Sequence, residues 1–329
     1  MTGRIDRRQA LMGIVGTAAV IGLPAPLQAA AGQLRVGSLK FGSLSWLLKT
    51  VTERGLEKSN NVDLSVLDVA TTGAARIALL SGDVDILVND WPWAMRQRSE
   101  GVPLKFAPFS SSLGAVVVPK DSKIRSLADL KGKRLGVAGT SIDKSWILLQ
   151  AYFEKQTGEP LGRVAEPIFG AAPLITEQLR QGRVDAALNF WTFSARLVGE
   201  GYTELITMAD ILRGLEIEPT PPLIGFVWSE KTTAGKDEAI TAFLKSVEQG
   251  NEVLKTSDEA WEPLKPLMKA ESEGEFQALR KAYRDGIPGP WTEETTKAAD
   301  KLLKLLMEAG EGTLVGSETK FDAKLFHGA

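Results

Sequence analysis

The sequence predicts an α/β protein built as two similar lobes joined by a hinge of two extended segments. Three observations predict it. Residues 79–96 read LLSGDVDILVNDWPWAMR and residues 179–196 read LRQGRVDAALNFWTFSAR, one phrase spoken twice. Leu79, Gly82, Val84, Asp85, Asn89, Trp91 and Arg96 recur in order as Leu179, Gly182, Val184, Asp185, Asn189, Trp191 and Arg196. Around both copies, short apolar runs alternate with stretches of helical periodicity, the pattern of βαβ units. Finally, the strand-like run 223–228 follows the second copy and reads as a return to the first lobe, which makes the second lobe an insertion into the first.

Taken in order, 34–38 reads as a strand and 44–56 as a helix, joined by Leu39, Lys40, Phe41, Gly42 and Ser43. A second strand over 63–69 leads through Thr71, Thr72 and Gly73 to a helix over 74–80 that stops at Ser81 and Gly82. A strand over 114–119 precedes a short helix capped by Ser126 with Asp129 in its first turn, then a strand over 135–138. The second lobe continues with helices over 142–152 and 173–180 and a strand over 184–189. After 223–228 the chain turns helical through 240–253, 275–283 and 295–307, with a Pro-Gly-Pro break at 288–290. Lobe 1 is therefore expected over 31–117 and 224–329, and lobe 2 over 118–223. Two crossings between lobes form a hinge that lets them close on a ligand.

Residues 1–30 have the charged start, short apolar stretch and small-residue end of an export signal. The pair Arg7-Arg8 resembles a twin-arginine signal, with general export as the other route. Cysteine is absent, so there is neither a disulfide nor a lipid-modified cysteine, and the mature chain is expected to be free in a periplasm. The net charge of −2 includes +2 from the signal, and no basic run points to nucleic acid or an anionic membrane.

Composition also restricts chemistry. The only histidine is His327, placed by the sequence in a mobile tail. Without Cys and with that His, nucleophilic triads and Cys/His metal sites are not expected. Neither a Walker loop nor a Gly-x-Gly-x-x-Gly turn is present. The chain reads as a non-enzyme without cofactor or metal. Asp85 and Asp185, each ahead of a strand, read as turn anchors bonded to nearby amides.

Ligand candidates cluster at strand ends, where open α/β sheets hold small molecules. Three joints, at Gly42-Ser43, Thr72-Gly73 and Gly139-Thr140-Ser141, set hydroxyls or Gly at helix starts, which favour anions. Trp46, Trp91, Trp93, Trp146 and Trp191 lie in or beside such joints and offer flat faces. The expected ligand set is Lys40, Ser43, Trp46, Thr72, Gly73, Asn89, Asp90, Trp91, Thr140, Ser141, Asn189 and Trp191. Lys40 and Lys144 favour an anion, whereas Asp90 and Asp143 favour an amine.

The runs GSLKFG at 37–42, LSGDVD at 80–85, VPKDSKIRSLADLKGK at 118–133 and GRVDA at 182–186 resemble the alkanesulfonate, taurine and nitrate family of ABC-transporter substrate-binding proteins. The similarity extends to about Trp228. It implies a type II periplasmic binding protein fold with two Rossmann-like lobes. It also implies a monomeric receptor that hands a small organic anion, sulfonate-like, to a membrane permease driven by a cytoplasmic ATPase. Family clefts take ligand from the first loop, the Thr72-Gly73 joint, the Asn89 to Trp91 tip, Gly139 to Ser141, and Asn189 to Trp191. Asn89-Asp90-Trp91-Pro92-Trp93 departs from a small-anion site, so two rivals stand beside it. One is a receptor for an amine or pyrimidine-like heteroaromatic or a metal chelate. The other is an accessory protein of a periplasmic oxidoreductase.

Overall fold

The computed structural model describes residues 32–40, 42–310, 315–316 and 318–328. The expected export signal at 1–30 lies outside the described residues, as does Phe41. The first lobe begins β1 (Gly32–Leu39), α1 (Leu44–Glu53), α2 (Leu56–Ser59), β2 (Val62–Val69), α3 (Thr72–Ser81), β3 (Ile86–Asp90), α4 (Trp91–Ser99) and β4 (Leu104–Ser110). The second lobe holds β5 (Ala115–Val118), β6 (Arg134–Ala138), α5 (Lys144–Thr157), α6 (Leu161–Val164), β7 (Glu166–Gly170), α7 (Ala172–Arg180), β8 (Ala186–Asn189), α8 (Trp191–Gly199), β9 (Thr203–Thr207) and α9 (Met208–Gly214). The chain ends with β10 (Ile224–Ser229), α10 (Asp237–Thr256), α11 (Lys265–Met268), α12 (Glu273–Asp285) and α13 (Glu293–Ala309).

Two five-stranded sheets result, β2-β1-β3-β10-β4 and β7-β6-β8-β5-β9. In each, three parallel strands are followed by one antiparallel strand and an edge strand. The antiparallel strands are the two that follow a crossing between lobes. β5 follows 111–114, and β10 follows 215–223. The α/β architecture with a two-strand hinge holds. The first crossing comes a few residues before the expected boundary at 117/118, because β5 pairs with β8 and β9 of the second sheet.

The repeated Gly-x-Val-Asp has a local physical cause. Gly82 closes α3 with φ 82°, a left-handed turn that a Cβ would strain, and Gly182 follows α7 with φ 67°. Asp85 then receives the backbone N–H of Arg35 at 2.8 Å and its guanidinium at 2.7 and 3.2 Å. Asp185 receives Arg134 in the same way, at 2.9, 2.9 and 3.2 Å. Each carboxylate thus ties the start of the third parallel strand to the first. Lys236 adds a second cation to Asp85 at 2.8 Å. Ser126 and Asp129 form the expected capping box, on a single 3₁₀ turn.

The C-terminal region touches both lobes. α10 packs on α1 in lobe 1 and α13 on α5 in lobe 2, while α12 bridges them, lying along α8 and burying Phe276, Leu279 and Tyr283 with Trp46 and Leu47 of lobe 1. Arg196 on α8 binds Glu275 on α12 at 2.8 Å and the carbonyls of Met268 and Lys269. α8 and α12 meet at two glycines, where a Cβ on Gly274 would fall 2.4 Å from the Gly199 carbonyl oxygen. His327 is not in a loose tail: its N–H donates to the Phe106 carbonyl at 2.8 Å and its ring sits edge-on to Trp228. Leu325 and Phe326 are buried beside it. Apolar spacing showed these segments to be amphipathic but could not say which lobe their apolar faces would meet.

Candidate functional site

A cavity of about 200 Å³ lies between the lobes at the carboxyl ends of the parallel strands. Lobe 1 supplies Leu39, the Gly42–Leu44 joint, Val69, Ala75 and Val88. The hinge region supplies Phe109, Ser110, Ser112 and Ile224, and lobe 2 closes it with Phe190, Trp191 and Thr192. The wall is apolar apart from the hydroxyls of Ser43, Ser110, Ser112 and Thr192, and among the described residues it includes no charged side chain. Such a slot suits a small flat solute that exchanges a few hydrogen bonds with hydroxyls.

Trp191 presents its indole to this cavity from the first turn of α8. Trp46 stands behind it, buried, with its ring centroid 5.9 Å away and edge-on. Trp261 and Tyr283 complete the support at 6.4 and 6.0 Å from Trp46. The aromatic cluster therefore fixes Trp191 rather than contacting a ligand four times over.

Beside the cavity lies a charged group. Asp90 caps α4 by accepting the Trp93 N–H at 3.0 Å, and it binds Arg76 at 3.0 Å. Across the gap between lobes, the Lys144 ammonium stands 3.5 Å from the same carboxylate. Burial works to raise the pKa of Asp90, but the Lys144 and Arg76 charges and the Trp93 N–H overcome it, so the carboxyl is held below its usual range. The Arg76 guanidinium also lies 4.8 Å over the Trp93 ring. Asp143 caps α5 through the Ser145 N–H at 2.8 Å, and burial pushes its pKa up. The helix starts of α4 and α5 are thus already occupied by carboxylates, whereas α1 begins in the cavity with no side-chain cap.

Of the twelve expected ligand residues, Ser43 and Trp191 line the cavity, with Trp46 behind Trp191. The others lie outside its lining. Trp91 is fully buried in the core, 5.8 Å from the Phe326 ring, because the returning C-terminal segment covers α4. Asn189 uses its whole amide within lobe 2: Oδ1 accepts the Phe190 N–H at 2.9 Å, and Nδ2 donates to the Ala172 carbonyl at 3.2 Å and Thr176 Oγ1 at 2.9 Å. Asn89 is likewise buried, its Oδ1 taking the Asp90 N–H and Arg76 at 2.9 and 3.1 Å. Both amides pin strand tips. Asp90 is engaged by two protein cations, so an amine ligand would have to displace them. Thr72 and Gly73 form the exposed first turn of α3, whose cap is Thr71. Thr140 and Ser141 are exposed in the turn before α5, and Lys40 is exposed after β1. None of these five lines the cavity.

Sequence reasoning missed Phe109, Ser110, Ser112, Thr192 and Ile224, while Phe190 falls in the expected stretch from Asn189 to Trp191. The adjacency of β10 to both β3 and β4 puts hinge residues at the floor, and a linear reading has no sign of that pairing. Arg76, at a helical spacing from Thr72, carried no motif. Among the described residues, no cluster of acidic or histidine side chains is arranged to hold a metal, and no helix is long and apolar enough to cross a membrane.

Residues 51–260 match the family model described as NMT1/THI5 like. A putative thiamine biosynthesis protein of Haemophilus influenzae is 24% identical over 240 residues, covering 72% of this chain and 73% of that protein. The alkanesulfonate-binding protein SsuA of Xanthomonas axonopodis pv. citri, solved with MOPS, aligns over 91% of this chain and 99% of its own with TM-score 0.67 and 16% identity. The periplasmic aliphatic sulphonate binding protein SsuA of Escherichia coli aligns over 87% and 96% with TM-score 0.68 and 17% identity. At such identities the structural likeness establishes the periplasmic binding protein fold, as the sequence resemblance implied.

Proposed function

The chain belongs to the NMT1/THI5-like family, and from that premise we propose that it is the solute-binding component of an ABC importer whose cleft takes a small, neutral, flat heteroaromatic of the pyrimidine kind. One observation carries this reading. The cavity between the lobes is an apolar slot with an indole face and four hydroxyls, and its wall holds no charge. An anion there would lose its hydration without meeting a cation, a cost of several kcal/mol. A pyrimidine exchanges its ring donors and acceptors with hydroxyls and stacks on Trp191. The name of the Haemophilus influenzae relative, a thiamine biosynthesis protein, is consistent with such a solute, since a pyrimidine is half of thiamine.

In this reading the protein is exported to the periplasm and works as a monomer. It delivers its solute to a membrane permease coupled to a cytoplasmic ATPase. No covalent step is required of it, because closure needs only tighter binding to the closed than to the open state. A sulfonate-like anion remains a second reading, favoured by one feature: α1 starts inside the cavity with its first N–H groups uncapped by any side chain.

A thermal-shift panel on the mature protein, freed of co-purified solute, separates these readings. Aminopyrimidines, alkanesulfonates, taurine, nitrate, amino acids and metal chelates are each added in excess. Ligand at a hundred times its dissociation constant stabilises by about 2.7 kcal/mol, enough for a shift of a few degrees. A shift with aminopyrimidines alone is the expected result. A shift confined to sulfonates would replace the neutral ligand with the anion, and silence across the panel would move weight to an accessory role beside an oxidoreductase.

A further inference from the structure

Behind the cleft, on the far side of Trp191, lies a second cavity of about 380 Å³. It is bounded by the hinge residues 111–114, one face of α8, the strand β9 and the last turns of α12. Its walls combine the indole of Trp191 and the small side chains of Ala195, Val198, Ala278 and Ala282 with the carboxylates of Glu204 and Asp285 and the ammonium of Lys281. Trp191 and Ser112 belong to both cavities, so they form the partition between them.

The charges in this cavity are not balanced. Lys281 is bonded to Asp285, one turn along α12. Glu204, an exposed residue of the cavity wall, makes no side-chain hydrogen bond and no ion pair among the described residues. Partial desolvation, with the nearby charges of Asp285 and Asp210, pushes its pKa up, while Lys281 acts in the opposite direction. A carboxylate beside apolar walls and without a cation of its own gains most from a cationic guest. An indole on the same wall adds a cation–π face.

We propose that this hinge cavity is a second small-molecule site, which takes an organic ammonium ion with a short apolar or aromatic body. Its guest places the ammonium on Glu204 and its apolar part between Val198 and Trp191. Because Trp191 is shared, the guest presses on the back of the cleft wall. The inference does not depend on which solute the cleft takes.

Benzylamine, charged at neutral pH, is the probe, and benzyl alcohol of the same shape is its neutral control. Isothermal titration of the mature protein is expected to show benzylamine binding in preference to benzyl alcohol. Glu204→Gln should weaken benzylamine at least about tenfold, the scale of one lost charge-assisted contact. Val198→Trp, a substitution at a partly exposed position, should fill the cavity and abolish binding. Both variants should keep the melting temperature of the parent, and Glu204→Gln should also keep its cleft-ligand response. The proposal is overturned if benzylamine fails to bind at millimolar concentration, binds no better than benzyl alcohol, or binds the two variants as it binds the parent.

Discussion

The two copies of the repeated phrase begin in the same way and end in different employment. Asp85 and Asp185 each hold an Arg and its backbone N–H from the first parallel strand, with distances that agree within a few tenths of an ångström. Asn89 and Asn189 each fold Oδ1 back onto the next backbone N–H at 2.9 Å. On the preceding helix, 13 residues earlier, the copies part. Thr176 satisfies the Asn189 amide, whereas Arg76 takes its place in lobe 1, reaches Asp90 and leaves Asn89 Nδ2 without a partner among the described residues. Phe190 stands where Asp90 does, and lines the cavity. Trp91 is sealed under Phe326 while Trp191 faces the cleft, and Arg96 pairs at the surface with Glu100 while Arg196 fastens α12. Contacts that anchor backbone within a lobe are alike in both copies. Side chains that point away from the lobe differ with what each one meets.

The tryptophans offer the sharpest way to break this comparison. Trp91→Ala should cost about 3–5 kcal/mol of stability, as expected for a fully buried indole, read by denaturant unfolding. Trp191→Ala should cost clearly less and should instead abolish the thermal shift given by the cleft solute. Equal stability losses with ligand binding intact would put both indoles in the core.

The anchoring carboxylates come next. Asp85 is fully buried and carries two cations, so Asp85→Ala should destabilise by about 3 kcal/mol or more. The Asp185 side chain is 34% exposed and carries one, so the same change there should cost roughly 1–2 kcal/mol. Matching losses would mean that Lys236 contributes nothing to the difference.

For the arginines, Arg196→Met leaves Glu275 buried without its cation and should cost about 2–3 kcal/mol. Arg96→Met removes an exposed pair and should stay within about 0.5 kcal/mol. If Arg196→Met were equally mild, α12 would not be fastened to lobe 2 through that pair.

The smallest effects concern pH. Asp90 has its pKa lowered in the folded state, so its contribution is present above the ordinary carboxylate pKa and is lost as pH falls through the lower folded value. Asp143 has its pKa raised, so its contribution is greatest at acid pH and is lost as pH rises through the raised value. Asp143→Asn keeps an N-cap and should gain roughly 0.5 kcal/mol or less at neutral pH. Melting curves from pH 3 to about 7 compare the two slopes; an Asp143→Asn gain that grows towards acid pH would contradict the sign.

Much of the fold was legible because its signals are local. Gly82, with its left-handed φ, marks the end of α3, and the alternation of apolar runs marks strands that do form over 32–39, 62–69, 134–138 and 186–189. The edge strands β7 and β9 carry mixed, half-exposed residues and gave no such pattern, so the reading passed over them. Site residues were harder. Ser43 and Trp191 were found because they sit in strand-to-helix joints, and Thr72, Gly73, Thr140 and Ser141 were chosen on the same ground yet are exposed and outside the cavity lining. A joint specifies that backbone N–H groups are present, but the twist of each lobe decides whether they look into the cleft.

By itself the sequence determined the duplicated α/β plan, the anchoring of Asp85 and Asp185, and the absence of the side chains that many enzymes need. These follow from spacing and hydrogen bonds among residues brought close by one βαβ unit. Only the tertiary structure decided which indole is core and which is wall, that α12 bridges the lobes while α13 lies on α5, and that Asp90, beside the cavity, is held by Arg76 and Lys144. Each of those depends on a partner far along the chain, Phe326 for Trp91 and Lys144 for Asp90. No local pattern specifies such a meeting, because it is the packing of whole lobes that brings the two surfaces together.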